Sequence, residues 1–69
     1  MSSTKYTFGK RIKFYRESMG LKQCDLAKKA DLTPAAICNM EKDIRKASMG
    51  SLIRLSKALD ISIDELVGV

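Results

Sequence analysis

Apolar residues recur every three to four positions along most of this chain, and no stretch alternates for long between apolar and polar. That spacing predicts helices. The first runs from about Phe8 to Glu17, with Thr7 as N-cap. Phe8, Ile12, Tyr15 and Met19 line one side of it, while Lys10, Lys13 and Glu17 fall largely on the other. Gly20 accepts a left-handed conformation and ends the helix. Ile61-Ser62-Ile63 alternates, but it is too short to predict a strand.

A second helix is predicted over Gln23 to Ala30, with Leu26 and Ala30 inward and Ala27 small enough to let another helix approach closely. Its start is weak. Lys22 stands at the N-cap and cannot accept the orphan N–H bonds there, which costs about 1 kcal/mol against Ser or Asp. Those N–H groups and the Lys22 ammonium together suit a phosphate. The chain then turns a corner at Ala30-Asp31-Leu32-Thr33. Asp31 tolerates the positive φ such a corner needs. Thr33 is held extended by the proline that follows, and its hydroxyl can cap the third helix. Pro34 at the first helical position gives up no needed donor. The third helix runs to about Lys42 and points Ile37 and Met40 to the core.

Asp43 to Ala47 reads as a loop carrying Arg45 and Lys46. Ser48 caps a fourth helix with Leu52, Leu55 and Leu59 on its inner face. The last helix has the clearest local signal: Ser62 and Glu65 form a capping box, and Ile61 and Leu66 are placed as a hydrophobic staple. The expected fold is all-α, five short helices wrapped around one core. Helices two and three, joined at a tight corner, have the pattern of a helix-turn-helix, whose second helix fits a DNA major groove.

Composition narrows the function. A chain of 69 residues is one domain and buries only about 60 % of the surface its unfolded form exposes. No apolar run is long enough to span a bilayer. The first residues lack the apolar segment of a signal peptide, so a cytoplasmic location is expected. There, Cys24 and Cys38 are expected as free thiols. Two cysteines and no histidine are too few ligands for structural zinc, and no cofactor is expected. The same lack of histidine, the absence of a glycine-rich phosphate loop and the scattered carboxylates argue against an enzyme. A cleft of about 300 Å³ is also hard to build in so small a core. Residues 1–46 hold eleven basic and five acidic side chains, a balance of +6, whereas residues 47–69 stand at −1. This asymmetry suggests one surface facing a polyanion and another left for a different contact.

The chain resembles the phage-repressor/Cro-type helix-turn-helix family, the Xre-like regulators. The matching residues are Ile12 and Arg16, Gly20-Leu21-Lys22-Gln23 and Leu26-Ala27. After the corner come Leu32-Thr33, Ile37 and Glu41, then Leu55-Ser56-Lys57-Ala58-Leu59-Asp60-Ile61-Ser62 and Leu66. The resemblance covers about residues 8–67, and its strength lies in the ordered spacing. The chain departs from the family pattern at Lys22 (often Ser), Asp31 and Asp43 (often Gly) and Met49 (often Pro), and the loop after the third helix is slightly long.

The resemblance implies a lambda-repressor-like five-helix domain over residues 7–69; residues 1–6, with Lys5 as their only charge, are expected to be a flexible arm. The resemblance also implies a small prokaryotic or phage regulator that binds double-stranded DNA, with a recognition helix of about Pro34–Lys42 in the major groove. Gln23, Pro34, Ala35, Ala36 and Asn39 are then expected at base edges. The alanines would pack against thymine methyls, and the Asn39 amide would pair with adenine N6 and N7. Lys22, Gln23, Thr33, Lys42, Arg45, Lys46 and Ser51 are expected at phosphates, Ser51 through its backbone N–H; Gln23 is also expected to brace the start of the third helix. Arg16 and Glu41 are expected to form a structural ion pair between helices one and three. A homodimer on a two-fold operator would join through the C-terminal region, with Ile63, Val67 and Val69 as candidates. The competing expectation is a protein-binding module of the same fold, such as an antitoxin or adaptor.

Overall fold

The computed structural model describes residues 7–68; the arm expected at residues 1–6 and the dimer candidate Val69 lie outside them. Every regular element among the described residues is a helix: α1 (Phe8–Ser18), α2 (Gln23–Ala30), α3 (Pro34–Glu41), α4 (Met49–Leu59) and α5 (Ile63–Val67). The predicted caps hold. Thr7 accepts the Lys10 N–H, Thr33 that of Ala36, Ser48 that of Ser51 and Ser62 that of Glu65. Glu65 returns the favour by accepting the Ser62 N–H at 3.3 Å, which completes the capping box. Gly20 ends α1 at φ 70°, and Asp31 turns the corner after α2 at φ 56°.

The core joins all five helices. Ile12, Leu26, Ile37, Met40, Leu55 and Leu66 are fully buried, with Ala27, Ala30, Ala36, Ala58 and Leu59 between them. The alanines let α2, α3 and α4 approach closely. α3 packs on both α1 and α2, α4 lies against α2, and α5 closes the bundle against α1 and α4. α3 is thus supported from behind along its length.

Two expectations need correction. Met19 does not join the α1 core stripe: it is the C-cap of the helix and 41 % exposed. The helical face ends with the helix, and the turn at Gly20 carries Met19 outward. Lys42 is the C-cap of α3 and no longer part of it. Leu52 is half-buried and packs against the core with Leu55 and Leu59, as expected of the inner face of α4.

Candidate nucleic-acid interface

α3 presents two faces of opposite character. Ile37 and Met40 are at 0 % and 1 % exposure, whereas Pro34 and Ala35 are exposed and Cys38 and Asn39 are half-exposed. Residues 34, 35, 38 and 39 share one side of a helix by its 3.6-residue period. The outward face is therefore a short apolar lip followed by one thiol and one amide. Ala36 does not belong to it. It is only 5 % exposed and lies in the core beside Ile37, so the expectation that it touches base edges is overturned. The third residue of a helix turns roughly 200° from the first, which carries Ala36 inward.

The end of α3 is held by a buried polar cluster. Arg16 on α1 donates to Glu41 twice, from Nε to Oε2 at 2.6 Å and from Nη2 to Oε1 at 3.1 Å. Its Nη1 donates to the Leu21 carbonyl at 2.8 Å. The two side chains are only 10 % and 4 % exposed. The hydrogen bond to Glu41 raises the Arg16 pKa above its ordinary value, against the opposing pull of burial, so the guanidinium keeps its charge. The expected ion pair is present. It is also larger than a pair: Gln23, the first residue of α2, donates its amide Nε2 to Glu41 Oε1 at 3.0 Å. Arg16 and Glu41 thus lock α1, the turn before α2, α2 itself and α3 together. Gln23 braces the end of α3, not its start as expected, because Pro34 at the start offers no polar side chain. The bond uses one amide hydrogen; the other and the carbonyl oxygen stay available.

The α2 start is better covered than Lys22 suggested. Asp25 accepts the Lys22 N–H at 3.0 Å, one half of a capping box. The reciprocal half is closed to a lysine ammonium, which has no acceptor. The Lys22 N–H is therefore spent on a carboxylate, while its exposed ammonium and the N–H groups of Gln23, Cys24 and Asp25, which a helix leaves without intrahelical partners, remain for a phosphate. A similar correction applies to Ser51. Its N–H donates to Ser48 Oγ at 3.2 Å as part of the α4 cap, and its Oγ accepts the Ser48 hydroxyl at 3.2 Å, so what Ser51 has left to donate is its hydroxyl hydrogen.

Lys42, Arg45 and Lys46 are exposed after α3, and Thr33 is exposed before it. Arg45 and Lys46 also line an open groove of about 430 Å³ between Phe8, Leu52 and Val67. A space of that size was not expected, and it exists because it lies at the surface between elements and not inside the core. Cys24 and Cys38 are free thiols. Among the described residues no cluster of His, Cys, Asp or Glu is arranged to hold a metal, and no helix is long and apolar enough to cross a membrane.

Two contacts of this region were not expected from the sequence. Asp43 accepts from the Thr7 hydroxyl and from the Gly9 N–H. Gly9 in turn allows the first turn of α1 to lie against the last turn of α3. The one available signal was Asp43 at a position where its family often has glycine, which marks an unusual backbone but names no partner.

An exposed helix opening at a tight, left-handed corner and braced from behind defines a helix-turn-helix protein. The helix-turn-helix family model matches residues 12–66. The immunity repressor protein of Bacillus phage phi105 is 36 % identical over 62 residues, which cover 90 % of this chain and 43 % of that protein. The chain spans less than half the length of the curated relatives it matches. The restriction-modification controller protein C.AhdI from Aeromonas hydrophila superposes with a TM-score of 0.83 at 34 % identity, over 86 % of this chain and 89 % of that one. The P22 c2 repressor, in complex with a synthetic operator, superposes with a TM-score of 0.85 at 31 % identity, over 88 % and 92 %. The chain belongs to the helix-turn-helix family and is of its phage-repressor type.

Proposed function

We propose that this domain binds double-stranded DNA sequence-specifically in the cytoplasm, with α3 in the major groove, as a small transcriptional regulator acting as a homodimer on a two-fold operator. The observation that carries the reading is the division of α3. Its inner residues are sealed in the core, while Pro34, Ala35 and Asn39 face outward on a helix clamped at its far end. Structures of the P22 c2 repressor with operator and of SinR with DNA support it by likeness of fold.

In this reading Pro34 and Ala35 pack on thymine methyls and Asn39 pairs with adenine. Lys22, Thr33, Lys42, Arg45, Lys46, the Ser51 hydroxyl and Gln23 set the register on phosphates, and the Gln23 amide groups left by its bond to Glu41 add to base readout. One helix reads few base pairs, so two copies on half-sites about 34–36 Å apart supply the remaining specificity. Val67 is 39 % exposed and Ile63 half-buried, which leaves both open to a second copy. The SinR–SinI complex shows a protein partner for a relative of like fold, but the exposed, braced face of α3 favours the DNA reading here.

Selection of bound sequences from a random duplex pool tests it. Enrichment of a two-fold symmetric site is the expected result. Binding that is absent or insensitive to salt overturns DNA recognition, and a monomer at high concentration on the enriched site overturns the dimer. Asn39→Ala is expected to weaken the best site by about 1–3 kcal/mol and to relax preference at one base pair. An equal loss on random DNA would remove Asn39 from base readout.

A further inference from the structure

Asp43 stands at φ 59° in the turn that leads from α3 into the cationic loop. Its carboxylate reaches far back along the chain. Oδ1 accepts the Gly9 N–H at 3.0 Å, and Oδ2 accepts the Thr7 hydroxyl at 2.5 Å. The single Thr7 proton goes to Asp43, and the same oxygen accepts the Lys10 N–H at 3.2 Å. The first turn of α1 thus has two caps, one local and one delivered by the turn after α3.

Two properties make aspartate an unfavourable choice here. Its backbone conformation suits glycine better. Its negative charge is also the only one between Lys42 and Lys46, in a loop otherwise suited to phosphates. What the carboxylate provides is anchorage. The Asp43 N–H donates to the Met40 carbonyl at 3.1 Å, and the Ile44 and Arg45 N–H groups both donate to the Asn39 carbonyl at 2.9 and 3.3 Å. Asp43 to Arg45 is therefore tied to α3 by its backbone and to α1 by one side chain. The residue whose carbonyl holds the loop, Asn39, is the one whose side chain faces outward for base readout.

We propose that Asp43 is a positioning residue for DNA recognition: its clasp on Thr7 and Gly9 holds Arg45 and Lys46 where they meet the operator backbone while Asn39 meets a base. This rests on the DNA-binding reading above. The clasp offsets a local electrostatic disadvantage by removing the freedom the loop would otherwise lose on binding.

Asp43→Gly tests it. Glycine accepts the positive φ, so the backbone path is retained and the carboxylate alone is lost. Wild-type and variant proteins are titrated against the selected operator and a random duplex over a series of salt concentrations, with the active fraction fixed by stoichiometric titration. If Asp43 acted only through its charge, its removal would tighten binding to both duplexes. The clasp predicts the opposite on the operator: binding weaker by about five- to tenfold, with the salt slope flatter by about one unit. Random-duplex affinity stays level or rises, so the specificity ratio falls. Thr7→Ala should reproduce the operator loss in part, and Thr7→Ser should retain binding. Operator affinity that is unchanged or tighter in Asp43→Gly overturns the proposal. A wild-type protein that binds neither duplex overturns the DNA-binding reading itself, a result distinct from a defect confined to the variant.

Discussion

Replacing Glu41 with alanine is expected to destabilise the domain by about 3–5 kcal/mol, because it leaves a buried guanidinium with only the exposed carboxylate of Glu17, 4.0 Å away, as counter-charge. The Glu41 side chain is 4 % exposed and accepts two bonds from Arg16 and one from Gln23. After truncation, Arg16 retains the Leu21 carbonyl among its buried partners, and it cannot escape by losing its proton. Small domains are marginally stable, so such a loss removes much of the total. Urea denaturation followed by circular dichroism should show the drop, and DNA binding should fall with the folded fraction. The double change Arg16→Met with Glu41→Leu is expected to behave differently. An apolar pair of similar volume is often neutral or stabilising by about 1–4 kcal/mol. That variant would fold yet free Gln23 from the end of α3. A loss below about 1 kcal/mol in Glu41→Ala would mean that water reaches the Arg16 guanidinium far more than its burial implies.

Gly9→Ala is expected to cost about 3 kcal/mol or more, at the upper end for overpacking. An added Cβ would lie 2.5 Å from the carbonyl oxygens of both Met40 and Glu41 and 2.8 Å from the Glu41 carbonyl carbon. These are backbone atoms of the last α3 turn, and no side-chain rotation relieves them. α1 must shift, and the shift strains both the Asp43 clasp and the Arg16–Glu41 bonds. Helix propensity alone predicts the reverse sign, since alanine in a helix is favoured over glycine by about 1 kcal/mol. Gly50 supplies the control. Its nearest atom beyond the helix backbone is the Ser48 Oγ at 3.9 Å, so Gly50→Ala should stabilise the fold by a few tenths to about 1 kcal/mol. Thermal melts of the two variants should therefore move in opposite directions. A Gly9→Ala melt that rises with that of Gly50→Ala would show that α1 and α3 do not meet as closely as described.

The recognition surface was legible where chemistry and helical period agree. Asn39 and Ala35 were expected outward and are so; Ile37 and Met40 were expected inward and are so. Ala36 went wrong because alanine carries no polarity that distinguishes a buried position from an exposed one, and only the turn of the helix against its neighbours places it. Ser51 was named for its N–H, but the Ser48 cap of α4, itself correctly read, already uses that donor. Met19 failed because a periodic stripe has no meaning beyond the residue where the helix stops.

Local rules settled the elements. Thr7, Thr33, Ser48 and Ser62 cap helices through bonds spanning three residues, and Asp31 and Gly20 turn the chain by conformations intrinsic to one residue. Such interactions form within reach of a single helical turn, so the order of residues suffices to find them. The contacts that orient α3 span far more of the chain: Gln23 to Glu41 over 18 residues, Arg16 to Glu41 over 25, and Asp43 to Gly9 over 34. Family likeness supplied one of these, Arg16 with Glu41. The others became visible once α1, α2 and α3 were packed, because a carboxylate's choice between partners depends on which donors the fold brings within 3 Å of it, and nothing in the spacing of residues along a chain encodes that distance.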